Sequence, residues 1–152
     1  MQNIFTTLLG TWFICSTNFP MWVKGDKVNP TFNYSLATKN EEKVLLDEVK
    51  YQKKGREKSI VGYDYQDEKD SFAFVWRGKG LLSLLKSKWR VALIDPKGQW
   101  AVISFSKTLF TSEGVDIISR TPKMSAAQLR EIKGLMERDE TLKKHVESLK
   151  TL

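Results

Sequence analysis

The chain has 152 residues, of which 41% are hydrophobic and 28% charged, with a single cysteine and a net charge of +7 at a sequence pI near 9.5. That balance excludes a disordered chain, and a lone Cys15 excludes a disulfide-stapled fold, though not export. No stretch reaches the roughly 18 apolar residues that a membrane-spanning helix needs, and the length fits one domain, residues 1–152, able to bury a core without metals or disulfides.

The chain opens with MQNIFTTLLGTWFICSTNFPMW and carries no charged side chain before Lys24. It lacks the basic start and small-residue cleavage site of a secretory leader, and no lipobox precedes Cys15. The segment therefore reads as a short lead-in followed by a first strand, GTWFICST (10–17), rich in aromatic and β-branched residues. No compartment is assigned.

PTFNYSLAT (30–38) alternates, placing Phe32, Tyr34 and Leu36 on one face. After the turn KNEE comes KVLLDEVKYQ (43–52), whose inward phase is either Val44/Leu46/Glu48 or Leu45/Asp47/Val49. A basic turn inside YQKKGREK (51–58) leads to SIVGYDYQD (59–67). SFAFVWRG (71–78) groups Phe72, Phe74 and Trp76. KWRVALID (88–95), WAVISFS (100–106) and GVDIISR (114–120) complete eight strands at spacings near ten residues. Short turns between such strands predict an all-β, eight-stranded antiparallel up-and-down barrel over about 10–120.

Near Pro122 the period changes. Ser125 followed by Gln128 is a capping-box pattern, and Leu129, Ile132, Leu135 and Met136 then recur at helical spacing. Leu142, Val146 and Leu149 continue the pattern, so one or two helices over about 125–150 are expected to pack outside the barrel.

Three short motifs resemble those of the lipocalin family, within the calycin superfamily. Gly10-Thr11-Trp12 is similar to the G-x-W signature that opens the first strand. VALID, ending at Asp95, is similar to the second motif, although Ile94-Asp95-Pro96 departs from the usual Thr-Asp-Tyr. IISRTP (117–122) is similar to the third motif, in which an arginine follows the last strand. NYSL (33–36) also resembles the second strand of bacterial and apolipoprotein-D-like members. The resemblance covers residues 8 to about 138. It implies that Trp12 closes one barrel end beneath the Arg120 guanidinium, with Gly10 and Asp95 as further structural residues. It also implies a carrier that holds a small hydrophobic or amphiphilic molecule inside the barrel.

The residues themselves point to a lined interior. Phe32, Tyr34, Phe72, Phe74, Trp76 and Trp89 are wide side chains on one face, and an eight-stranded barrel has room for one small ligand. Val91 and Ile103 join them as candidate ligand contacts. In GVDIISR, Asp116 shares the inward face with Ile118, while Val115 and Ile117 face outward under the helix. A carboxylate there needs a partner, whether an indole N–H, the Tyr34 hydroxyl, water, or a polar or cationic ligand group. Trp22 and Leu84, on the loops 19–29 and 80–88, are candidate rim residues, Trp22 as a mobile one. Lys24, Lys27, Lys86 and Lys88 would ring that entrance, suiting a fatty acid, a lysophospholipid or an anionic membrane surface.

The search for catalytic chemistry is mostly negative. His145 is the one histidine and reads as a solvent-facing helical residue. No Cys/His spacing fits a metal, and neither G-x-S-x-G nor a phosphate-binding glycine loop is present. No cofactor, metal or nucleic-acid partner is expected. Cys15 reads as a buried, inert thiol beneath the C-terminal helix. The alternatives to a carrier are an enzyme acting on an apolar substrate through Asp116, Tyr34 or Cys15, and a module binding through its basic surface.

Overall fold

The computed structural model describes residues 3–152, so the first two residues of the lead-in and of the single predicted domain lie outside the described residues. The described part of the lead-in is not loose chain. It forms a short helix α1 (Ile4–Leu8) that buries Ile4, Phe5 and Leu8. Then come β1 (Gly10–Thr17), a single helical turn α2 (Pro20–Val23), β2 (Val28–Lys39), β3 (Glu42–Lys53) and β4 (Arg56–Gln66). β5 (Ala73–Gly78), β6 (Lys86–Ile94), β7 (Trp100–Phe105) and β8 (Gly114–Ser119) follow, before α3 (Ala126–Glu137), a 3-10 helix (Lys143–Ser148) and a two-residue β9 (Lys150–Thr151).

Each of β2 to β7 pairs antiparallel with the next, and β8 pairs with β1, which closes on β2. The result is the expected closed, eight-stranded up-and-down barrel. β1 divides its edge between two partners. Gly10–Phe13 pair with β2, and Ser16 and Thr17 pair with β9, which the strand pattern did not predict. The basic turn predicted within 51–58 is a tight hairpin with Lys54 at φ 52° and Gly55 at φ 73°, as a type I′ turn requires.

One barrel end is plugged by the residues of the three motifs. Trp12 is fully buried, and its indole Nε1 donates to the Leu8 carbonyl at 2.9 Å. The Arg120 guanidinium lies 3.7 Å from the centre of the indole ring. Its nitrogens donate to the carbonyls of Thr7 (2.6 Å), Leu9 (2.9 Å) and Thr11 (3.0 Å), so one side chain ties α1 to β1. Gly10 sits at φ +103°, and a Cβ there would stand 3.2 Å from the guanidinium, so backbone angle and space both favour glycine. Asp95 organises the β6–β7 turn by accepting from the backbone N–H groups of Lys97 and Gln99.

The strand phases divide the core into two layers. Trp12, Ile14, Phe32, Phe74, Trp89, Val91, Ile103 and Ile118 pack inside the barrel. Val102, Val115 and Ile117 face out and pack under Ile132, Met136, Leu142 and Leu149. Ser125 caps α3, its Oγ accepting from Gln128 N at 3.1 Å. The second predicted helix is the shorter 3-10 segment. His145 is half-buried rather than solvent-facing, because its Nδ1 meets Asn18 Nδ2 at 3.0 Å and Asn18 in turn accepts from Val115 N–H. Cys15 is buried near the Thr121 and Pro122 carbonyls, and burial pushes its thiol pKa up, away from reactivity.

Candidate functional site

At the end opposite Trp12 the barrel opens onto a cavity of about 450 Å³. Its walls are Phe32 on β2, Val49 on β3, Ile60 on β4, Trp76 on β5, Phe105 on β7 and Asp116 on β8. Three loops form its rim. The β1–β2 loop supplies Phe19, Met21 and Trp22, the β5–β6 loop supplies Leu84 and Leu85, and the β7–β8 loop supplies Leu109 and Phe110. Leu84 (95% exposed), Leu109 (95%) and Phe110 (82%) stand in water as though waiting for an apolar partner.

Aromatic packing closes the floor. Trp89 is stacked on Phe74 at 4.5 Å and on Tyr34 at 6.0 Å, and Phe5 of α1 meets the lower face of Phe74 edge-on at 5.8 Å. Space along the wall depends on Gly62. A Cβ there would collide with the Trp76 indole, so the missing side chain is what lets Trp76 lie flat against β4.

The predicted ligand contacts therefore separate. Phe32, Trp76 and Asp116 line the cavity, and Leu84 overhangs it. Tyr34, Phe74, Trp89, Val91 and Ile103 are buried in the filled core beneath. Phe72 belongs to neither. It is 37% exposed in the β4–β5 turn, because Asp70 Oδ1 accepts its backbone N–H and delays the strand to Ala73. Trp22 lines the cavity from the β1–β2 loop as a buried residue. Pro20 starts the turn that carries it inward, where it is 3% exposed and meets Tyr51 edge-to-face at 5.7 Å. Of the four rim lysines, Lys86 lines the cavity, whereas Lys27 lies 3.7 Å from Asp26.

The interior also holds three carboxyls. β3 takes the phase that points Leu45, Asp47 and Val49 inward. Asp47 and Asp64 are buried against each other beneath the aromatic floor, and Asp64 Oδ1 accepts from Trp89 Nε1 at 2.9 Å. Burial raises the pKa of both, with Asp64 driven up further by the neighbouring Asp47 charge, so a shared proton makes their contact attractive. Burial likewise lifts Asp116 to about 7, against the hydrogen bond from Thr17. Tyr34 lies among all three, and burial and their charges hold its phenol well above the usual range.

Asp64, Leu109 and Phe110 were missed by the sequence reading. In SIVGYDYQD the more apolar phase is Val61, Tyr63 and Tyr65, yet the buried phase is Gly62 and Asp64. An adjacent Leu-Phe pair inside the polar stretch KTLFTSE (107–113) was the available signal for the third rim loop.

A barrel plugged at one end and open at the other onto an apolar cavity is a binding cup. A family profile for the lipocalin-like domain matches residues 6–147, and the chain belongs to that family, whose members are typically non-enzymatic ligand-binding proteins. Among solved structures it is similar to the siderocalin Ex-FABP, at a TM-score of 0.68 and 14% identity over 96% of this chain and 93% of that one. The cockroach allergen Per a 4 gives a TM-score of 0.69 at 12% identity over 97% and 85% of the two chains. The possum milk whey lipocalin trichosurin, solved with bound 4-ethylphenol, gives 0.59 at 12% over 92% of each. At these identities the likeness is one of fold. A search of curated protein sequences found no match.

Proposed function

We propose that this protein is a carrier that takes a small hydrophobic or amphiphilic molecule reversibly into the upper barrel. The observation that carries the reading is the apolar cavity of about 450 Å³ beneath three greasy loops. Burying an apolar body against Phe32, Trp76 and Phe105 supplies about 25 cal/mol per Å² removed from water. Ordering costs then bring the affinity to the micromolar range or somewhat tighter. Family membership supports the reading, and trichosurin's small aromatic ligand is a precedent for the size class. In the tail-first pose suggested by the sequence, a fatty acid or lysophospholipid would leave its anionic head beside Lys86.

Titration with the neutral fluorophore N-phenyl-1-naphthylamine tests this. Saturable one-to-one binding is expected, weakened about tenfold by Trp76→Ala and unchanged by Phe72→Ala in the exposed turn. Absence of saturable binding by this probe and by lipid or retinoid probes would sink the carrier reading.

The rim favours a second property, docking on an anionic membrane for ligand exchange. Leu81, Leu84, Leu109 and Phe110 are highly exposed on neighbouring loops, and Lys86 lies among them in a chain of net charge +7. Flotation should recover the protein with phosphatidylglycerol-containing vesicles and not with pure phosphatidylcholine. The double change Leu84→Ser/Phe110→Ser should reduce recovery about tenfold or more. Equal recovery on both vesicle types would exclude an electrostatic contribution.

A further inference from the structure

The ionisable groups buried inside the barrel, among the described residues, are of one kind. They are the carboxyls of Asp47, Asp64 and Asp116, grouped around the Tyr34 phenol. Arg120 lies outside this group, at the plugged end over Trp12. Asp47 and Asp64 answer each other and Trp89, beneath the floor. Asp116 differs from them. It lines the apolar cavity itself, whereas they do not, and its Oδ1, which like Asp47 Oδ1 and Asp64 Oδ2 is buried without a hydrogen-bond partner, is the one a ligand in the cavity can reach. Thr17 faces it from β1, Ile103 stands opposite it on β7, and Tyr34 approaches from β2.

We infer that the ligand's polar end is a cationic nitrogen, a protonated amine, seated on Asp116 with its apolar body against Trp76, Phe32 and Phe105. This rests on the reading of the cavity as the ligand site, and it names the ligand class.

Three lines of chemistry converge on it. A buried carboxylate oxygen without a donor is costly, and an ammonium N–H supplies a charge-assisted hydrogen bond at the place where the wall offers none. Trp76, Phe32 and Phe105 line the same cavity, and aromatic rings attract cations through their quadrupoles. A carboxylate ligand placed equally deep would instead be repelled by Asp116 and by any negative charge on the Asp47–Asp64 pair. Lys86 stands at the exposed rim, so an anionic amphiphile is favoured only with its head outside. In the empty cup a proton occupies Asp116 up to about neutral pH, and an arriving cation takes the place of that proton.

The test uses three probes with one tail, dodecylammonium, dodecanol and dodecanoate, each displacing N-phenyl-1-naphthylamine at a pH just above neutrality. The amine is expected to bind at least about tenfold more tightly than the alcohol, the ratio that one charge-assisted hydrogen bond supplies, and more tightly than dodecanoate, whose head is favoured only at the rim. Asp116→Asn should erase the difference between amine and alcohol. Calorimetry of the wild-type protein in two buffers of different ionisation enthalpy should show proton release with the amine and none with the alcohol. That measurement decides the matter if Asp116→Asn fails to fold. Dodecanoate binding tightest, an amine preference that survives Asp116→Asn, or amine binding without proton release would each overturn the assignment. Failure of all three probes to displace a bound fluorophore would count against it too, and failure of the fluorophore itself to bind would remove the carrier reading beneath it.

Discussion

Trp12→Ala is expected to destabilise the protein by about 3–5 kcal/mol, measured as the unfolding free energy in urea. Trp12 is among the largest fully buried side chains, and its removal acts on three contacts together. It opens a cavity at the plugged end, leaves the Leu8 carbonyl without its indole donor, and takes away the ring face under Arg120. Arg120→Ala should cost about 2–4 kcal/mol, since it strips the cation–π contact and three carbonyl hydrogen bonds, those to Thr7 and Leu9 part-buried. Because the two residues act on the same junction between α1 and β1, the double variant should cost clearly less than the sum. Arg120→Lys should recover only part of the loss, because a single ammonium cannot reproduce a fork that reaches three carbonyls. A Trp12→Ala variant within about 1 kcal/mol of wild type would show that the plugged end contributes little. Strict additivity would mean that the two residues do not share a junction.

That junction was legible through the resemblance to the lipocalin motifs, since Gly10-Thr11-Trp12 opening the first strand and Arg120 after the last stand in the family's order on a strand pattern read independently. The phase of β8 was legible for a different reason. Val115 and Ile117 alternate with Asp116 and Ile118, and a following helix had to cover one of the two faces. The site was less legible because its geometry is set by chain ends and loops. Pro20 begins a turn of helix that carries Trp22 from the rim into the wall, which hydropathy does not reveal. Asp67 and Asp70 accept backbone N–H groups in the β4–β5 turn and so exclude Phe72 from the strand. Asp64 was hidden because β4 buries its less apolar phase, where Gly62 makes room for Trp76 and Asp64 finds Trp89. Alternation assigns the greasier face to the interior, and it fails where the interior needs space and a hydrogen bond.

Stability should fall as the pH rises from about 5 to 8, with the buried carboxyls as the cause. Asp116 titrates near 7 in the folded protein against an ordinary value of 3.8, because burial opposes its charge. Burial raises Asp47 and Asp64 as well. A group raised on folding keeps its proton in the native state after the unfolded chain has shed it. Its contribution is whole below about pH 4 and is lost as the pH climbs through about 7. For Asp116 alone the difference is on the order of 4 kcal/mol. His145 works in the opposite sense, since burial lowers its pKa and disfavours the native state as the ring charges. Comparing wild type with Asp116→Asn separates the two. The amide keeps the shape and cannot ionise, so urea midpoints of the variant should fall less steeply across this range, by what Asp47 and Asp64 still contribute, and exceed those of wild type at the alkaline end. Wild-type stability rising between pH 5 and 8, with Asp116→Asn the less stable at pH 8, would mean that Asp116 is ionised and paired in the native protein. A bound amine should alter the same curve in a predictable direction. By stabilising the ionised form of Asp116 it should raise the midpoint most at alkaline pH, where the empty cup is weakest, and least near pH 5, where it must first displace a proton.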